Sequence, residues 1–384
     1  MSTERLARNA VHLLPQGALE AKLKLGRPLR VKLGIDVTSP DIHVGRAIPL
    51  QRMRAFQDEG HVGVLIIGDY TTRIGDPSGR SSERPILSDG EIDRNAKTYL
   101  EQAMVVLDPE RTEVRHNGEW LSKLSYADVV RLARTMTVAR ILERDDFANR
   151  MAAQEPVSVS ELLYPLMQAY DSVAVQADVE LGGTDQLYNL LAGREVMEHY
   201  GAEPQVVLTT PLLLSWDGTK MSSSVGNNIP LLAPPEEQFG RTMRIPDSLL
   251  GEWWQLIAEA DMPSGDPMAA KLELARFIVR RSWGDVAVDR AEAHFTRVVR
   301  EGGAPDDIPE HALPAGDPVH LPAVLADAFG LSTSEARRLI AQGGVRVNGA
   351  VVGDLDVARS SLADGLVQAG KRRFVRLVAL EASS

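Results

Sequence analysis

Six consecutive apolar residues, Val62-Gly63-Val64-Leu65-Ile66-Ile67, interrupt an otherwise mixed sequence. A strand with one wet face alternates apolar and polar side chains, so a run without alternation is buried on both faces, as in a parallel sheet covered by helices on each side. Arg30-Val31-Lys32-Leu33-Gly34-Ile35 reads as a second strand, and Arg46 to Gly60 as a helix between them that ends at Gly60. From about Leu29 to Tyr200 short β-rich runs keep alternating with longer helical patterns, which is the rhythm of βαβ units. The expected fold class is therefore α/β with a parallel sheet. In such sheets ligands bind beyond the carboxyl ends of the strands, so the loops at those ends are where chemistry is to be sought.

Around Leu232 the pattern changes. Pro234-Pro235-Glu236-Glu237 opens a mainly helical stretch through Arg300 that contains Trp253, Trp254 and Trp283, and Gly302 to Pro322 reads as a Pro/Gly-rich linker. Beyond it Ser332 to Ile340 starts with capping residues and reads as a helix, and Val345 to Val352 carries the Asn-Gly pair of a tight hairpin. The expected domains are 1–230, 231–315 and 316–384, the last a small α+β unit.

The charge respects this division. The whole chain of 384 residues carries −11, but from His320 onward eight basic residues face six acidic ones, a net +2 that leaves −13 for the rest. A polyanion would be repelled by the body and attracted by the tail, where Lys371, Arg372, Arg373 and Arg376 cluster. The chain has no cysteine, which excludes disulfides, thiol nucleophiles, thiolate zinc sites and iron–sulfur clusters. Met1 to Glu20 has no apolar stretch of a secretory signal, and no segment approaches the ~18 apolar residues of a membrane span. A cytoplasmic protein is expected.

No Gly-x-x-x-x-Gly-Lys-Ser/Thr loop, no Gly-x-Gly-x-x-Gly after the first strand and no His-Glu-x-x-His is present. The first strand instead runs into Gly34-Ile35-Asp36-Val37-Thr38-Ser39-Pro40-Asp41-Ile42-His43-Val44-Gly45-Arg46. A loop ending at a helix start offers backbone N–H groups to an anion; His43 and Thr38 add donors, and Gly45 lets a flat base approach the backbone. By itself a histidine at a helix start is as well explained by capping or packing. A second segment, Asp217-Gly218-Thr219-Lys220-Met221-Ser222-Ser223-Ser224, places one lysine and three serine hydroxyls after a glycine. Paired in this order, the two segments resemble the His-Ile-Gly-His and Lys-Met-Ser-Lys-Ser signatures of class I aminoacyl-tRNA synthetases. Between them Ile74 to Arg80, Tyr164 to Asp171 and Gly182-Gly183-Thr184-Asp185-Gln186 resemble bacterial tyrosyl-tRNA synthetases, and the similarity runs over nearly the whole chain.

That resemblance implies a Rossmann-like catalytic domain, a helical anticodon-side domain and a small C-terminal RNA-binding domain. Tyrosine, ATP with Mg²⁺, and tRNA(Tyr) would be the substrates, the enzyme a homodimer without a membrane part or a bound protein metal. Tyr164, Gln168 and Asp171 share one helix face at i, i+4 and i+7. By resemblance Asp171 takes the substrate hydroxyl, while Tyr164, Gln168 and Asp76 hold its ammonium group, with Asp36 assisting there and Gln186 at the tyrosine end of the adenylate. Gly183 and Asp185 would meet the ATP ribose, and Gly45, Arg46, Met221 and Ser223 complete the nucleotide site. His43, Thr38, Lys220, Arg80 and Arg84 would stabilise charge on the phosphates. Three positions depart from the family pattern: Arg46 stands for the second histidine of the first signature, Ser223 for the second lysine of the other, and Lys32 where some members have a tyrosine. Arg46 and Ser223 leave two other readings open, a synthetase-like RNA-binding or regulatory protein that has lost adenylation and a specialised duplicate enzyme.

Overall fold

A computed structural model describes residues 3–78, 87–223, 225–300, 308–370 and 373–379. The chain forms two compact units, Met1–Ala233 with Arg241–Ile278, and Pro234–Gly240 with Val279–Ser384.

The first unit is built on a six-stranded sheet: β1 (His12–Leu14), β2 (Arg30–Ile35), β3 (Val62–Ile67), β4 (Thr112–His116), β5 (Val179–Gly183) and β6 (Val206–Thr210), in the order β1-β6-β5-β2-β3-β4. All neighbours are parallel except β1, which lies antiparallel on β6. The α/β reading holds, and the sheet extends past the stretch that announced it. β1 has three residues, too few for a period-2 pattern to show, and its pairing to Val207–Thr209 spans nearly two hundred residues.

β3 is buried on both faces, as its composition requires. Leu65 and Ile67 pack with Met53 and Phe56 of helix α1 (Ala47–Asp58) and with Ile92, Ala96 and Tyr99 of α2 (Asp89–Ala103). Val64 and Ile66 point the other way, towards Val175 at the end of α3 (Val159–Val175). Alongside α3 runs α4 (Leu187–His199), joined to it by Leu166, Ala169, Ala192 and Val196. Each fully buried Leu or Ile contributes about 1.5–3 kcal/mol. Ser158 caps α3 in a reciprocal box with Glu161, whose carboxylate also pairs with buried Arg150 at 2.6 Å.

β2 connects onward to β3 on one side and β5 to β6 on the other, so the strand order reverses between β2 and β5. That switch point opens a crevice at the carboxyl ends of the two strands. The loop from Asp36 and the turn Gly183–Gln186 both arise there.

In the second unit a five-stranded sheet orders Ala350–Val351, Val345–Val347, Leu366–Ala369, Arg373–Val378 and Glu310–Ala312, with helices Leu321–Phe329 and Thr333–Ala341 over a core that includes Leu325, Ile340, Val347 and Leu377. Ser332 caps its helix with Glu335, and the hairpin turns at Asn348 (φ 50) and Gly349 (φ 84). The stretch read as a linker is structured in its second half. Glu310–Ala312 adds a parallel edge strand beside Arg376–Val378, and Val319–His320 pairs with Asp356–Val357. Such short segments, flanked by proline, gain their structure from a distant partner and carry no local signal.

Among the described residues no helix is long and apolar enough to cross a membrane.

Candidate active site

The loop after β2 starts with Asp36, whose two carboxylate oxygens are both engaged. Thr71 Oγ1 donates to Oδ1 at 2.8 Å and the Tyr164 hydroxyl to Oδ2 at 3.0 Å. Asn95 Nδ2 then holds the Val37 carbonyl at 2.9 Å, which fixes the backbone next to half-buried Thr38. At the far end of the loop His43 caps α1: its Nδ1 accepts the Arg46 N–H at 3.2 Å, and the ring is only 5% exposed. With Nδ1 an acceptor the ring proton sits on Nε2, and burial, reinforced by the positive charges of Arg46 and Lys220, pushes the imidazole pKa down to about 3. His43 is thus a neutral N–H donor at any physiological pH. Gly45 packs beneath that ring, and Arg46 Nη1 reaches Ser39 Oγ at 3.0 Å.

Opposite, β5 ends in Gly183, where a Cβ would lie 2.6 Å from Asp185 Oδ1 and 2.9 Å from Leu212 Cδ2; only glycine lets the Asp185 carboxylate fold back there. Lys220 Nζ pairs with Asp185 Oδ2 at 2.7 Å. The segment around Lys220 is clasped by Asn227, which sequence reading passed over: its Oδ1 accepts the Ser222 N–H at 2.8 Å while Nδ2 reaches Asp217 Oδ2 at 2.9 Å and Thr219 Oγ1 at 2.9 Å. Met221 is buried in the core, and Ser223 Oγ accepts from Asn228 Nδ2 at 3.2 Å.

α3 presents Tyr164, Gln168 and Asp171 as one buried face, exposed 5%, 9% and 3%. Gln168 Oε1 is buried without a hydrogen-bond partner among the described residues, and its Nε2 lies 3.4 Å from Glu180 Oε1. Asp171 receives the indole N–H of Trp120 at 2.8 Å on Oδ1 and the amide of Asn117 at 3.3 Å on Oδ2. Burial pushes its carboxyl pKa up to about 7, against the pull of Lys32, Trp120 and Asn117. Trp120 and Asn117 lie just past β4 and were not anticipated; an indole N–H that must find a partner was the only hint. Beneath this face Lys32 of β2 and Glu180 of β5 form a fully buried ion pair at 2.8 Å, the lysine also donating to the Gln168 carbonyl at 2.9 Å and Ser172 Oγ at 2.7 Å. All three ammonium hydrogens are used. Removing one partner of such a pair typically costs about 3–5 kcal/mol, so it braces β2, β5 and α3 at the floor of the crevice.

Asp76 completes the site, accepting from Gln186 Nε2 at 2.8 Å and from the Ser78 N–H at 2.9 Å. The anticipated residues thus meet in pairs: Asp36 with Tyr164, Asp76 with Gln186, and Lys220 with Asp185. Asp171 instead has partners outside the anticipated set. Arg80 and Arg84 lie outside the described residues. Among the described residues no group of three or more histidines and carboxylates could hold a metal ion.

Buried carboxylates and amides, a neutral imidazole and a lysine are thus gathered at one switch point. The sequence pattern of tRNA synthetases class I (W and Y) matches residues 24–281, two thirds of the chain and the whole of this site. The chain belongs to that class I synthetase family. The S4 domain pattern matches residues 321–356 within the second unit. A tyrosine–tRNA ligase of Thermotoga maritima is 45% identical over 388 residues, covering 97% of this chain and 96% of the relative. One of Geobacter sulfurreducens is 47% identical over 392 residues, covering 97% of each. A crystal structure of a C-terminally truncated mitochondrial tyrosyl-tRNA synthetase from Aspergillus nidulans shares the fold with a TM-score of 0.62 at 21% identity, over 74% of this chain and 90% of that one.

The site so built holds a neutral imidazole, a half-exposed lysine and buried carboxylates.

Proposed function

We propose that this protein is a tyrosine–tRNA ligase, which forms tyrosyl-adenylate from tyrosine and ATP and transfers the tyrosyl group to tRNA(Tyr). The observation that carries tyrosine over phenylalanine is the buried face of α3, while tyrosine over tryptophan is supported by the tyrosine–tRNA ligases that are 45% and 47% identical over 97% of this chain. A carboxylate at Asp171, held by two donors and with lone pairs to spare, is matched to a phenol hydroxyl and has nothing to offer a phenyl ring. The unpartnered Gln168 Oε1, with Tyr164 and Asp76, supports a place for the ammonium group, with Asp36 holding Tyr164 and Gln186 reaching the adenylate end.

In the first step a tyrosine carboxylate oxygen bonds to the ATP α-phosphorus as the bond to pyrophosphate breaks, and magnesium enters with the ATP phosphates as part of the substrate. His43 Nε2–H, Thr38 and Lys220 are the donors available to the phosphates, joined by Arg80 and Arg84. Gly183 and Asp185 are assigned to the ribose, and Gly45, Arg46, Met221 and Ser223 to the remainder of the nucleotide. In the second step a terminal ribose hydroxyl of tRNA attacks the adenylate carbonyl and AMP leaves.

The three-part division 1–230, 231–315 and 316–384 belongs to this reading, supported at its last part by the S4 match. So does a homodimer: between β4 and β5, Tyr126, Val138, Met151 and Val159 are exposed apolar side chains, Tyr126 by 85%. A cytoplasmic site of action fits the absence of cysteine. The test is charging of tRNA(Tyr) with labelled tyrosine. Acid-stable tyrosyl-tRNA is expected, and tyrosine-dependent pyrophosphate exchange without any charging would instead favour a protein that only makes the adenylate.

A further inference from the structure

A closed ring of hydrogen bonds runs through five residues beside the crevice, closed by one backbone N–H. Arg144 Nη1 donates to Asn189 Oδ1 at 2.8 Å and its Nη2 to Ser78 Oγ at 2.9 Å. Asn189 Nδ2 donates to Gln186 Oε1 at 3.0 Å and to Ser78 Oγ at 3.3 Å. Gln186 Nε2 donates to Asp76 Oδ2 at 2.8 Å, and the Ser78 N–H to Asp76 Oδ1 at 2.9 Å closes the ring. Arg144, Asn189, Ser78 and Asp76 are each less than a tenth exposed.

The direction of every bond in this ring is dictated by its two single-minded members. A guanidinium only donates and an ionised carboxylate only accepts, so Asn189 must turn its oxygen to Arg144, which turns its amide nitrogen to Gln186, which leaves Gln186 Nε2 for Asp76. Both ends agree. Arg144 is itself immobilised: Asp146 receives its Nε at 3.0 Å and its Nη2 at 2.7 Å, and the guanidinium lies over the Phe147 and Tyr188 rings, 5.0 and 5.1 Å from their centroids. One rigid cation therefore ties the turn Asp76–Ser78 to the start of α4 and sets which face of the Gln186 amide looks into the site.

We propose that Arg144 is a positioning residue for amino-acid activation, acting on the ammonium end of tyrosine through Asn189, Gln186, Ser78 and Asp76. The inference rests on the reading of Asp76 and Gln186 as tyrosine ligands. Arg144→Gln removes the donor-only end, since an amide can also accept. Asn189→Asp keeps an ion pair to Arg144 but turns an acceptor on Gln186, so that one amide nitrogen is claimed by two carboxylates. Asp146→Asn leaves the ring intact while weakening the anchoring ion pair.

Pyrophosphate exchange as a function of L-tyrosine and ATP separates the possibilities. Expected is a KM for tyrosine raised about tenfold in Arg144→Gln and in Asn189→Asp, the worth of one well-aligned charge-assisted hydrogen bond. The KM for ATP should stay within about twofold, and Asp146→Asn, which keeps the ring but loosens its anchor, should raise the KM for tyrosine by no more than about threefold. If Arg144→Gln does not fold, Asn189→Asp decides alone. Wild-type tyrosine KM in Asn189→Asp, or an equal rise in all three variants as general loosening would give, overturns the inference. Absence of exchange in the wild-type chain would overturn the ligase reading itself, a result that the variants cannot mimic.

Discussion

Asp171 and Lys220 carry charge in opposite surroundings, and that difference sets how each responds to change. Asp171 is enclosed, and its carboxyl pKa of about 7 in the folded chain lies above the ordinary value of 3.8. The folded state therefore holds this proton more tightly than the unfolded chain does. The stability the group contributes is complete below about pH 4 and is lost as pH rises through 7. On the proposed assignment tyrosine requires the other form, because its hydroxyl would donate to the carboxylate. The KM for tyrosine should accordingly fall as pH rises from 6 to 8, and Asp171→Asn should flatten that dependence while raising the KM throughout. A wild-type KM for tyrosine that ignores pH across this range would remove Asp171 from the pocket. His43 adds no limb to the same profile, since its pKa of about 3 keeps it neutral. Lys220 is by contrast 55% exposed, and a pair such as that with Asp185 is worth at most about 1 kcal/mol, so a phosphate can take the ammonium at little cost. Lys220→Ala should slow single-turnover adenylate formation by ~10²-fold, with tyrosine binding nearly unchanged, as loss of a contact made to transition-state charge does.

The elements that proved readable were those whose signal is local. The unalternating β3, the capping box at Ser332 and Glu335 and the Asn348-Gly349 turn each lie within a few residues, and each stands where the pattern put it. β1 and Glu310–Ala312 could not be read, because three-residue edge strands owe their structure to partners far along the chain. The site divides in the same way. The face of α3 comes directly from helical spacing, whereas Trp120, Asn117 and Arg144 reach it from the segment between β4 and β5, and no spacing announces such a meeting. Packing of α1 on β3 shows how tightly the elements constrain each other. At Gly63 a Cβ would sit 2.8 Å from Met53 Sδ and 2.9 Å from Gln57 Nε2, and Gln57 is tethered by Thr112 Oγ1 at 2.8 Å. Gly63→Ala should therefore destabilise the chain by about 1–3 kcal/mol through overpacking, read as a lower urea midpoint with an unchanged slope. An unaltered midpoint would mean that α1 yields at this contact.

Over the whole molecule, charge and chemistry are allotted to different parts of the chain. The body carries −13 and holds the class I synthetase match, and the C-terminal part carries +2 with an S4 match. Replacing Lys371, Arg372, Arg373 and Arg376 together by glutamine should raise the KM for tRNA by about tenfold or more and flatten its salt dependence, while pyrophosphate exchange continues at the wild-type rate. Equal loss of both activities would tie the basic cluster to folding instead. Arg46 and Ser223, the two departures from the family signatures, bear on whether the body activates an amino acid at all. The direct measurement is pyrophosphate exchange into ATP by the purified wild-type chain with tyrosine and with phenylalanine in parallel. Exchange with tyrosine is predicted, and discrimination against phenylalanine by ~10⁴–10⁵, the selectivity that tyrosyl-tRNA synthetases themselves exemplify. Equal exchange with the two amino acids, or none with either, would contradict the account.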